Sequence, residues 1–226
     1  MFSRPFVHPE PVLAIFAKEP RPGRVKTRLT PCLTPAEAAA LYRVALRETV
    51  ARFSAGPARL ALCCAGRRRW FAHNYPELPL LPQGRGDLGA RLARAAAALF
   101  AAGAGAVAIA GSDSPDLPLP LISAVFAALA RADAAVVPSA DGGYVLLALR
   151  RPVPELFADI PWSTPAVLAA TRARAAALGL RIASVGSWDD LDDFAALQRL
   201  LARSPECMTA RYVHAHLGRR LWSGCG

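Results

Sequence analysis

The sequence predicts an α/β protein with a Rossmann-like, mostly parallel sheet and helices on both faces. Short apolar runs such as Val12–Ala17 and Ala106–Ala110 alternate with longer segments of helical period. Unbroken apolar runs of this length are typical of strands buried on both faces, and their alternation with helices indicates βαβ units. Ligands of such sheets bind beyond the carboxyl ends of the strands, so we expect a site in the loops that follow them.

The apolar runs predict six strands, at residues 12–17, 59–64, 106–110, 134–138, 144–149 and 181–185. Helices are predicted between and after them, at residues 34–53, 68–73, 87–102, 119–131, 164–178 and 189–202. Thr34 and Glu37 are spaced for a capping box, with Pro35 at the first helical position. Gly103 closes the third helix. The rest of residues 65–82 is loop-like, and no clear period follows residue 203.

The composition is that of one globular domain, placed at residues 1–203, followed by a C-terminal appendage at residues 204–226. The chain of 226 residues is 54% hydrophobic and 19% charged, which excludes intrinsic disorder. Its apolar stretches are shorter than the roughly 18 residues of a membrane span. Residues 1–11 contain prolines and lack the apolar segment of a signal peptide, so we expect a cytoplasmic protein.

The cysteines predict no metal site and no disulfide framework. Their number is odd and their spacing does not match metal-ligand patterns, at positions Cys32, Cys63, Cys64, Cys207 and Cys225. We therefore expect buried free thiols in a reducing compartment.

The formal net charge of +10 raises the question of a nucleic-acid partner. The arginines are scattered over several predicted helices and form no stripe with aromatic residues, so we expect no nucleic-acid partner. A bias in residue usage or a small anionic substrate accounts for the charge. The two lysines, Lys18 and Lys26, differ from this background because both fall in one short segment. Lysine carries a compact point charge, and two lysines within one short segment indicate that such a charge is needed there.

That segment is the basic loop Lys18–Arg28, which follows the first strand. It contains Gly23, two prolines and five cations. Backbone amides in a glycine-containing turn, together with ammonium groups, suit a diphosphate. The loop is neither a Walker A loop nor a GxGxxG motif, and a charged surface loop could have a similar composition. The lysine pair and the position at a strand end favour phosphate binding.

Two aspartates are candidates for chemistry. Asp113 follows the strand at residues 106–110 and can hold a divalent metal ion that bridges phosphate oxygens, whereas Asp116 is equally well explained as a helix cap. Asp141 precedes Gly142 and Gly143, which permit positive φ or the close approach of a ligand, and it could orient or deprotonate an acceptor hydroxyl. A plain hairpin turn is the alternative at Asp141.

Weaker candidates lie further along the chain. Trp162 could offer an aromatic platform to an acceptor, although the adjoining polar residues are also explained as a helix cap. The run Trp188–Asp193 has four carboxylates at a predicted helix start, and complementarity to the helix macrodipole explains most of them. Only Asp189 is retained there as a candidate metal ligand. The four histidines form neither a metal site nor a catalytic triad.

With these residues, the chain resembles a family of bacterial nucleotide-diphospho-sugar transferases of the glycosyltransferase-A fold. These are small single-domain proteins, some of them associated with arsenosugar biosynthesis. The matching segments occur in order across about residues 12–200, and they are LAIFAKEPRPGRVKTRL, QGRGDLGARL, IAGSDSPDLP, PSADGGYVLLAL and DIPWST. Five ordered segments are far more specific than any one of them alone.

The resemblance implies a nucleotide-sugar donor, a small-molecule acceptor and a divalent cation, Mg²⁺ or Mn²⁺. The implied nucleotide and phosphate contacts are Phe16, Ala17, Lys18, Gly23, Lys26, Arg28, Gln83 and Gly84. Asp113 takes the place of the metal-binding carboxylate. The implied acceptor side consists of Asp141, Gly142, Gly143, Tyr144 and Trp162.

The chain departs from this family before the last predicted helix. The family has an Asp-x-Asp-Thr run there, whereas this chain has Ser187 in place of the first carboxylate. The second metal ligand therefore stays open, with Asp189 as the candidate. The resemblance also does not cover residues 203–226.

Three functions remain open, and the first is our leading hypothesis. It is glycosyl transfer from a nucleoside-diphosphate sugar to a small acceptor. The segment VKTRL also resembles the loop of nucleotidyltransferases that activate cofactor precursors, such as 2-phospholactate guanylyltransferase and the molybdenum-cofactor enzymes, which attack the α-phosphorus and release pyrophosphate. The third is a nucleotide-binding module without chemistry, suggested by Ser187. The base, sugar, acceptor and oligomeric state are not indicated by the sequence.

Overall fold

The computed structural model describes residues 9–30, 32–218 and 221 of the chain. Its strands are β1 Pro11–Lys18, β2 Arg59–Ala65, β3 Leu80–Pro82, β4 Ala106–Gly111, β5 Ala134–Pro138, β6 Tyr144–Leu149 and β7 Ile182–Ser184. They form one sheet in the order β3-β2-β1-β4-β6-β5-β7. Strand β6 is antiparallel to β4 and β5, and the other neighbouring pairs are parallel. The prediction of an α/β fold with a mostly parallel sheet is confirmed.

Helices connect the strands. Within the described residues they are α1 Pro35–Ser54, α2 Arg68–Asn74, α3 Leu88–Ala101, α4 Leu119–Ala128, α5 Val167–Ala177, α6 Phe194–Arg203 and α7 Met208–His216. The capping box predicted for α1 is present, with the Thr34 side chain accepting from the Glu37 amide. Asp87 caps α3 by accepting from the amide of Ala90 at 2.8 Å. Local capping chemistry therefore fixes both helix starts.

The sheet is buried on both faces because alternate side chains of a strand enter different layers. In β1, Leu13 and Ile15 pack with the layer of α1, α2 and α4, whereas Val12 and Ala14 pack with the layer of α3 and α5. The predicted arrangement of helices on both faces is confirmed by these two apolar clusters.

The segment 204–226 includes α7, which packs on α1. Glu48 of α1 is buried and accepts from the amides of Met208 and Thr209 at 2.9 and 2.8 Å. A third apolar cluster joins α1, α6 and α7 beneath this contact. A carboxylate at the start of α7 also complements the helix macrodipole. Residues 219–220 and 222–226 of this segment lie outside the described residues.

Two local predictions are wrong. The helix predicted from Asp189 begins only at Phe194, because Asp193 caps it by accepting from the amide of Ala196 at 2.8 Å. Residues 189–193 are not helical but run past the end of β4, where the amide of Leu191 donates to the carbonyl of Asp113 at 2.6 Å. The predicted loop at residues 65–82 contains strand β3, which the sequence does not indicate because three residues that include a proline carry no recognisable alternation.

The cysteine prediction is confirmed for Cys63, Cys64 and Cys207, which are free and buried. Burial raises the pKa of the Cys63 thiol to about 12. The prediction is wrong for Cys32, which is disulfide-bonded, because a pairing made by the fold leaves no signal in local spacing. Cys225 lies outside the described residues.

The helices of the described chain include none that combines the length and the apolar character needed to cross a membrane.

Candidate functional site

A cleft runs along the carboxyl edge of the sheet, above the ends of β1 and β4. It consists of two adjoining cavities of about 530 Å³ each. The residues common to both cavities are Phe16, Lys18, Arg28, Leu88, Gly111, Asp113, Ser163 and Asp192. Loops from several strand ends therefore meet at one place, where sheets of this kind bind their ligands.

The first cavity, named the basic half, is bordered by five cations. They are Lys18, Arg24, Lys26, Arg28 and Arg91. Gln83 lies in the same wall, where its Nε2 donates to the carbonyl of Cys63 at 2.8 Å. The carboxylates of this half are Asp113 and Asp192, so five cations against two anions give its lining a net positive charge. Such a lining suits a polyanion.

The Lys26 side chain is held by contacts within this half and does not extend into solvent. Its backbone is left-handed, with φ of 49°, and its buried ammonium contacts Asp113, Asp192 and the carbonyl of Leu191. Burial lowers the pKa of Lys26, but the two carboxylates outweigh burial and hold the pKa above its ordinary value. Lys26 is therefore a charged group that partly neutralises the aspartates beside it.

Lys26→Met is expected to lower the free energy of unfolding by about 1–3 kcal/mol, because it leaves two carboxylates together without their cation. The loss is smaller than for a fully buried pair, since the side chains of Asp113 and Asp192 are 37% and 43% exposed. Urea unfolding at pH 7 measures it. Lys18→Met is the control, with an expected change below about 0.5 kcal/mol, because Lys18 is exposed. Equal stability of the two variants would contradict the pairing.

The second cavity, named the acidic half, combines carboxylates with an apolar wall. Asp141 and Asp190 line it together with the shared residues Asp113 and Asp192. The apolar lining consists of Phe16, Leu88, Leu92, Tyr144, Val145, Trp162 and Val167. A concave apolar surface with a few convergent polar groups is typical of sites for small molecules.

Asp190 has the most perturbed carboxyl group of the cleft. Burial raises its pKa, and repulsion from Asp192, Asp141 and Asp113 raises the pKa further, to about 7. Lys26 acts in the opposite direction but does not offset these effects. Crowded like charges in a cleft are a physical mark of functional sites.

Asp141 lies in the tight turn that joins β5 to β6. Its Oδ1 accepts from the amide of Gly143 at 3.0 Å and from the Ser139 hydroxyl, which fixes the carboxylate over the cleft. The segment is a hairpin turn between β5 and β6, and it also lines the acidic half. Gly142 makes the turn possible, because its φ is +87° and a Cβ there would lie 2.1 Å from the carbonyl oxygen of Pro165.

The base of the basic half is held by a chain of hydroxyl groups. The amide of Lys18 donates to the Tyr42 hydroxyl at 2.9 Å, and this hydroxyl lies 2.7 Å from Oγ of Ser112. Burial raises the pKa of Tyr42 well above its usual range, so its hydroxyl stays protonated. These bonds fix the end of β1 relative to the loop that carries Asp113.

A buried ion pair fixes the segment 188–193. Asp116 has a side chain only 1% exposed and accepts from Nε and Nη2 of Arg203 at 2.6 and 3.0 Å, and from Nε1 of Trp188 at 3.2 Å. The Arg203 guanidinium also lies 4.5 Å over the Trp188 ring. Burial raises the pKa of Asp116, but Arg203 outweighs it and holds this pKa below its ordinary value. Asp116 is therefore not a cap of α4, which begins after Pro118.

The Asp189 side chain makes its contacts outside the cleft. Its Oδ2 lies 3.1 Å from Arg199 and 3.7 Å from Arg203, and its Oδ1 accepts from the amide of Ala140 at 3.4 Å. It lines neither cavity. The structure thus does not bring Asp189 beside Asp113, and Asp192 occupies that position instead.

Most of the other predicted site residues line the cleft, namely Phe16, Lys18, Lys26, Arg28, Gln83, Asp113, Asp141, Gly143, Tyr144 and Trp162. Ala17, Gly23, Gly84 and Gly142 do not. Ala17 is fully buried, and its carbonyl accepts from Gln83 at 3.4 Å. Gly84 has φ of +77° and leaves room for the guanidinium of Arg94, which a Cβ would meet at 2.5 Å.

Asp190, Asp192 and Arg91 line the cleft but are not among the residues predicted from the sequence. The two aspartates were attributed to a helix start, but the chain there is not helical. The alternation Asp190-Leu191-Asp192 could have indicated them. In an extended segment, the buried Leu191 points to one side and the two aspartates to the other. Arg91 had no signal beyond its place on α3.

Gly89 is the contact point between α3 and the segment that carries Trp162. A Cβ at Gly89 would lie 2.4 Å from the carbonyl oxygen of Phe157 and 2.7 Å from Nε1 of Trp162. Gly89→Ala would ordinarily stabilise a helix by about 1 kcal/mol. Here it is expected to lower the free energy of unfolding by about 1–3 kcal/mol, because the backbone or the indole must shift. A urea midpoint above the wild-type value would contradict this contact.

The sheet order and the cleft at its carboxyl edge define the nucleotide-diphospho-sugar transferase fold class. A protein from Desulfovibrio desulfuricans G20 that carries the provisional name nucleotide-diphospho-sugar transferase is 28% identical over 93% of this chain and 97% of that chain, with a TM-score of 0.84. The chain belongs to the family described as an uncharacterized protein conserved in bacteria (DUF2064), whose model matches residues 45–164. No curated protein gives a significant match.

Two more distant structures share the fold. One is CMP:2-keto-3-deoxy-manno-octonic acid synthetase complexed with CTP, which is 14% identical over 85% of this chain and 97% of that chain, with a TM-score of 0.53. The other is Rv0371c from Mycobacterium tuberculosis H37Rv in complex with manganese, which is 16% identical over 86% of this chain and 99% of that chain, with a TM-score of 0.52.

Proposed function

We propose that this chain transfers a glycosyl group from a nucleoside-diphosphate sugar to a small acceptor. The observation that carries this proposal is the two-part cleft. A half bordered by five cations meets, at Asp113 and Asp192, a half lined by carboxylates and apolar side chains. A donor whose diphosphate lies in the basic half would present its anomeric carbon near the junction, with the acceptor in the acidic half.

The donor side of the proposal is supported by both charge and likeness. Lys18 and Arg28 are exposed at the junction and can reach phosphate oxygens. The resemblance to a provisionally named nucleotide-diphospho-sugar transferase extends over nearly the whole chain. The synthetase that shares the fold was solved with CTP, which is also a nucleotide with a phosphate chain.

A divalent cation fits Asp113 and Asp192. Among the described residues no set of three or more His, Cys, Asp and Glu side chains is arranged to hold a metal ion. Mg²⁺, however, is commonly bound by one or two carboxylates plus substrate phosphates. The side chains of Asp113 and Asp192 are 37% and 43% exposed, so a cation can reach them from the cleft. When bound, the ion would neutralise charge that builds on the departing nucleoside diphosphate.

Asp141 is our candidate for the group that receives the acceptor proton. Its Oδ1 is held by Gly143 and Ser139, so its position is fixed relative to the cleft. In the proposed step the acceptor oxygen bonds to the anomeric carbon, and the bond from that carbon to the diphosphate breaks with its electron pair. Asp141 takes the acceptor proton, and the cations of the basic half stabilise the leaving diphosphate.

Nucleotidyl transfer is the second candidate function. It is favoured by the fold shared with the CTP-bound synthetase, and the same basic half would hold the triphosphate. The products separate the candidates when the protein is incubated with Mn²⁺ and a panel of nucleoside-diphosphate sugars and triphosphates. Release of nucleoside diphosphate supports glycosyl transfer, and release of pyrophosphate supports nucleotidyl transfer. Thermal stabilisation by nucleotides without turnover supports a binding module, and no stabilisation contradicts the phosphate site.

Lys18→Met is expected to weaken nucleoside-diphosphate binding about tenfold, because one charge-assisted hydrogen bond is lost. Isothermal titration with the diphosphate and Mn²⁺ measures the change. Arg69→Met removes one exposed cation outside the cleft and is the matched control. Equal affinities of the two variants would contradict a role of Lys18 at the diphosphate.

A further inference from the structure

The carboxylates of the acidic half are not balanced by cations of the protein. Lys26 contacts Asp113 and Asp192, and Arg28 lies 3.7 Å from Asp192. No ion pair within 4.0 Å joins Asp141 or Asp190 to a cation in the described part of the chain. Asp141 and Asp190 thus have no cation within ion-pair distance, although Lys18 and Arg28 line the same cavity.

A divalent cation would not remove this excess. The ion fits Asp113 and Asp192, and the donor diphosphate itself brings negative charge to the junction. Asp141 and Asp190 would keep their charges on the acceptor side.

The rest of the acidic half is apolar. Trp162 and Tyr144 contribute aromatic surface, and Leu88 and Leu92 of α3 add aliphatic surface. The Tyr144 hydroxyl is fully buried and therefore offers a ligand no polar contact. A ligand that fits must cover these rings with an apolar surface and meet the aspartates with donors or positive charge.

Resting on the proposed glycosyl transfer, we propose that the acceptor is a small hydroxylated amine with an apolar ring or chain, bound with its ammonium group against Asp190 and its hydroxyl group toward Asp141. The apolar body lies on Trp162 and Tyr144, and the hydroxyl group points toward the junction with the basic half. An acceptor that carries a phosphate or carboxylate group is repelled by the same aspartates. The acidic half therefore selects by charge, and the basic half is reserved for the donor.

Three phenols that share a two-carbon side chain and differ in its end group test this inference, namely tyramine with an ammonium, tyrosol with a neutral hydroxyl and hydroxyphenylpropionate with a carboxylate. Their dissociation constants are measured by titration into protein saturated with a nucleoside diphosphate and Mn²⁺ at pH 8. We expect tyramine to bind at least about tenfold more tightly than the carboxylate, with neutral tyrosol between them, as one unscreened charge contact predicts. Asp190→Asn should reduce the preference of tyramine over the carboxylate several-fold.

The controls separate this inference from the proposed function. Glu206→Gln removes one exposed carboxylate far from the cleft and should leave the preference unchanged. Equal or tighter binding of tyrosol or of the carboxylate overturns the inference, and so does a preference that survives Asp190→Asn. Absence of binding by all three compounds overturns it as well, while the donor site stands as long as the nucleoside diphosphate binds. Failure of the nucleoside diphosphate itself to bind contradicts the proposed function.

Discussion

Arg203→Met is expected to lower the free energy of unfolding by about 3–5 kcal/mol. The substitution removes the cation that faces Asp116, whose side chain is 1% exposed, and thereby leaves a buried carboxylate without its charge partner. It also removes the stacking of the guanidinium on Trp188. Urea unfolding at pH 7 measures the loss. The effect is large because methionine cannot solvate the carboxylate and water reaches it poorly.

Arg199→Met is the matched control for Arg203→Met. Arg199 is about half exposed and pairs with Asp189 at 3.1 Å, so its removal should change stability by less than about 1 kcal/mol. Asp116→Asn in the Arg203→Met background should recover part of the loss, because the uncompensated charge disappears. A loss for Arg203→Met no larger than for the control would show that the pair does not hold the segment 188–193.

Asp190→Asn is expected to raise the free energy of unfolding by about 2–4 kcal/mol at pH 8 in the presence of a metal chelator. The pKa of Asp190 is about 7 in the folded protein, above the value of about 4 expected in the unfolded chain. The folded state therefore holds this proton more tightly, and wild-type stability falls as the pH rises from about 4 to about 7. Asparagine carries no such proton and removes this contribution.

The pH dependence is the decisive measurement for Asp190→Asn. The stability difference from the wild type should vanish below about pH 3, where Asp190 is neutral in both states, and should reach its full size above about pH 7. Glu206→Gln, at an exposed carboxylate, serves as the control and should show no comparable trend. A variant less stable than the wild type at pH 8 would mean that the Asp190 carboxylate makes favourable contacts that outweigh the repulsion.

A gain in stability of the Asp190→Asn variant would indicate that Asp190 serves the function of the cleft. Proteins retain locally unfavourable charges chiefly where a ligand or a reaction needs them. Asp113 and Asp192 share the Lys26 ammonium, and a bound cation or a cationic acceptor would reduce the repulsion on Asp190. The same substitution should therefore stabilise the free protein and weaken its binding of a cationic ligand.

The fold could be predicted from the sequence because its signals are local. Each buried strand from β1 to β6, apart from β3, appears as an apolar run, since strands covered on both faces need apolar side chains at every position. The start of α1 could be located from the spacing of Thr34 and Glu37 alone. The short β3 was missed because it is defined by pairing with β2 and not by its own pattern.

The candidate site could be predicted only in part. The basic loop, Asp113 and Asp141 follow or precede strands, so their convergence at one edge of the sheet was accessible from topology. The partners of Lys26 were not accessible, because Asp192 and Leu191 are more than 160 residues away along the chain. A diphosphate contact was expected for Lys26, whereas in the structure its ammonium is buried between carboxylates.

By itself, the sequence determined the sheet, its order of helices and strands, and the loops at its carboxyl edge, because hydrophobic periodicity and capping act between residues close in the chain. Only the tertiary structure decided which carboxylates share the cleft. The ion pair of Asp116 and Arg203 and the contact of Leu191 with the end of β4 hold the segment 188–193 out of a helix. That places Asp190 and Asp192 at the cleft and turns Asp189 toward arginines, since charge interactions depend on distance in space and not along the sequence.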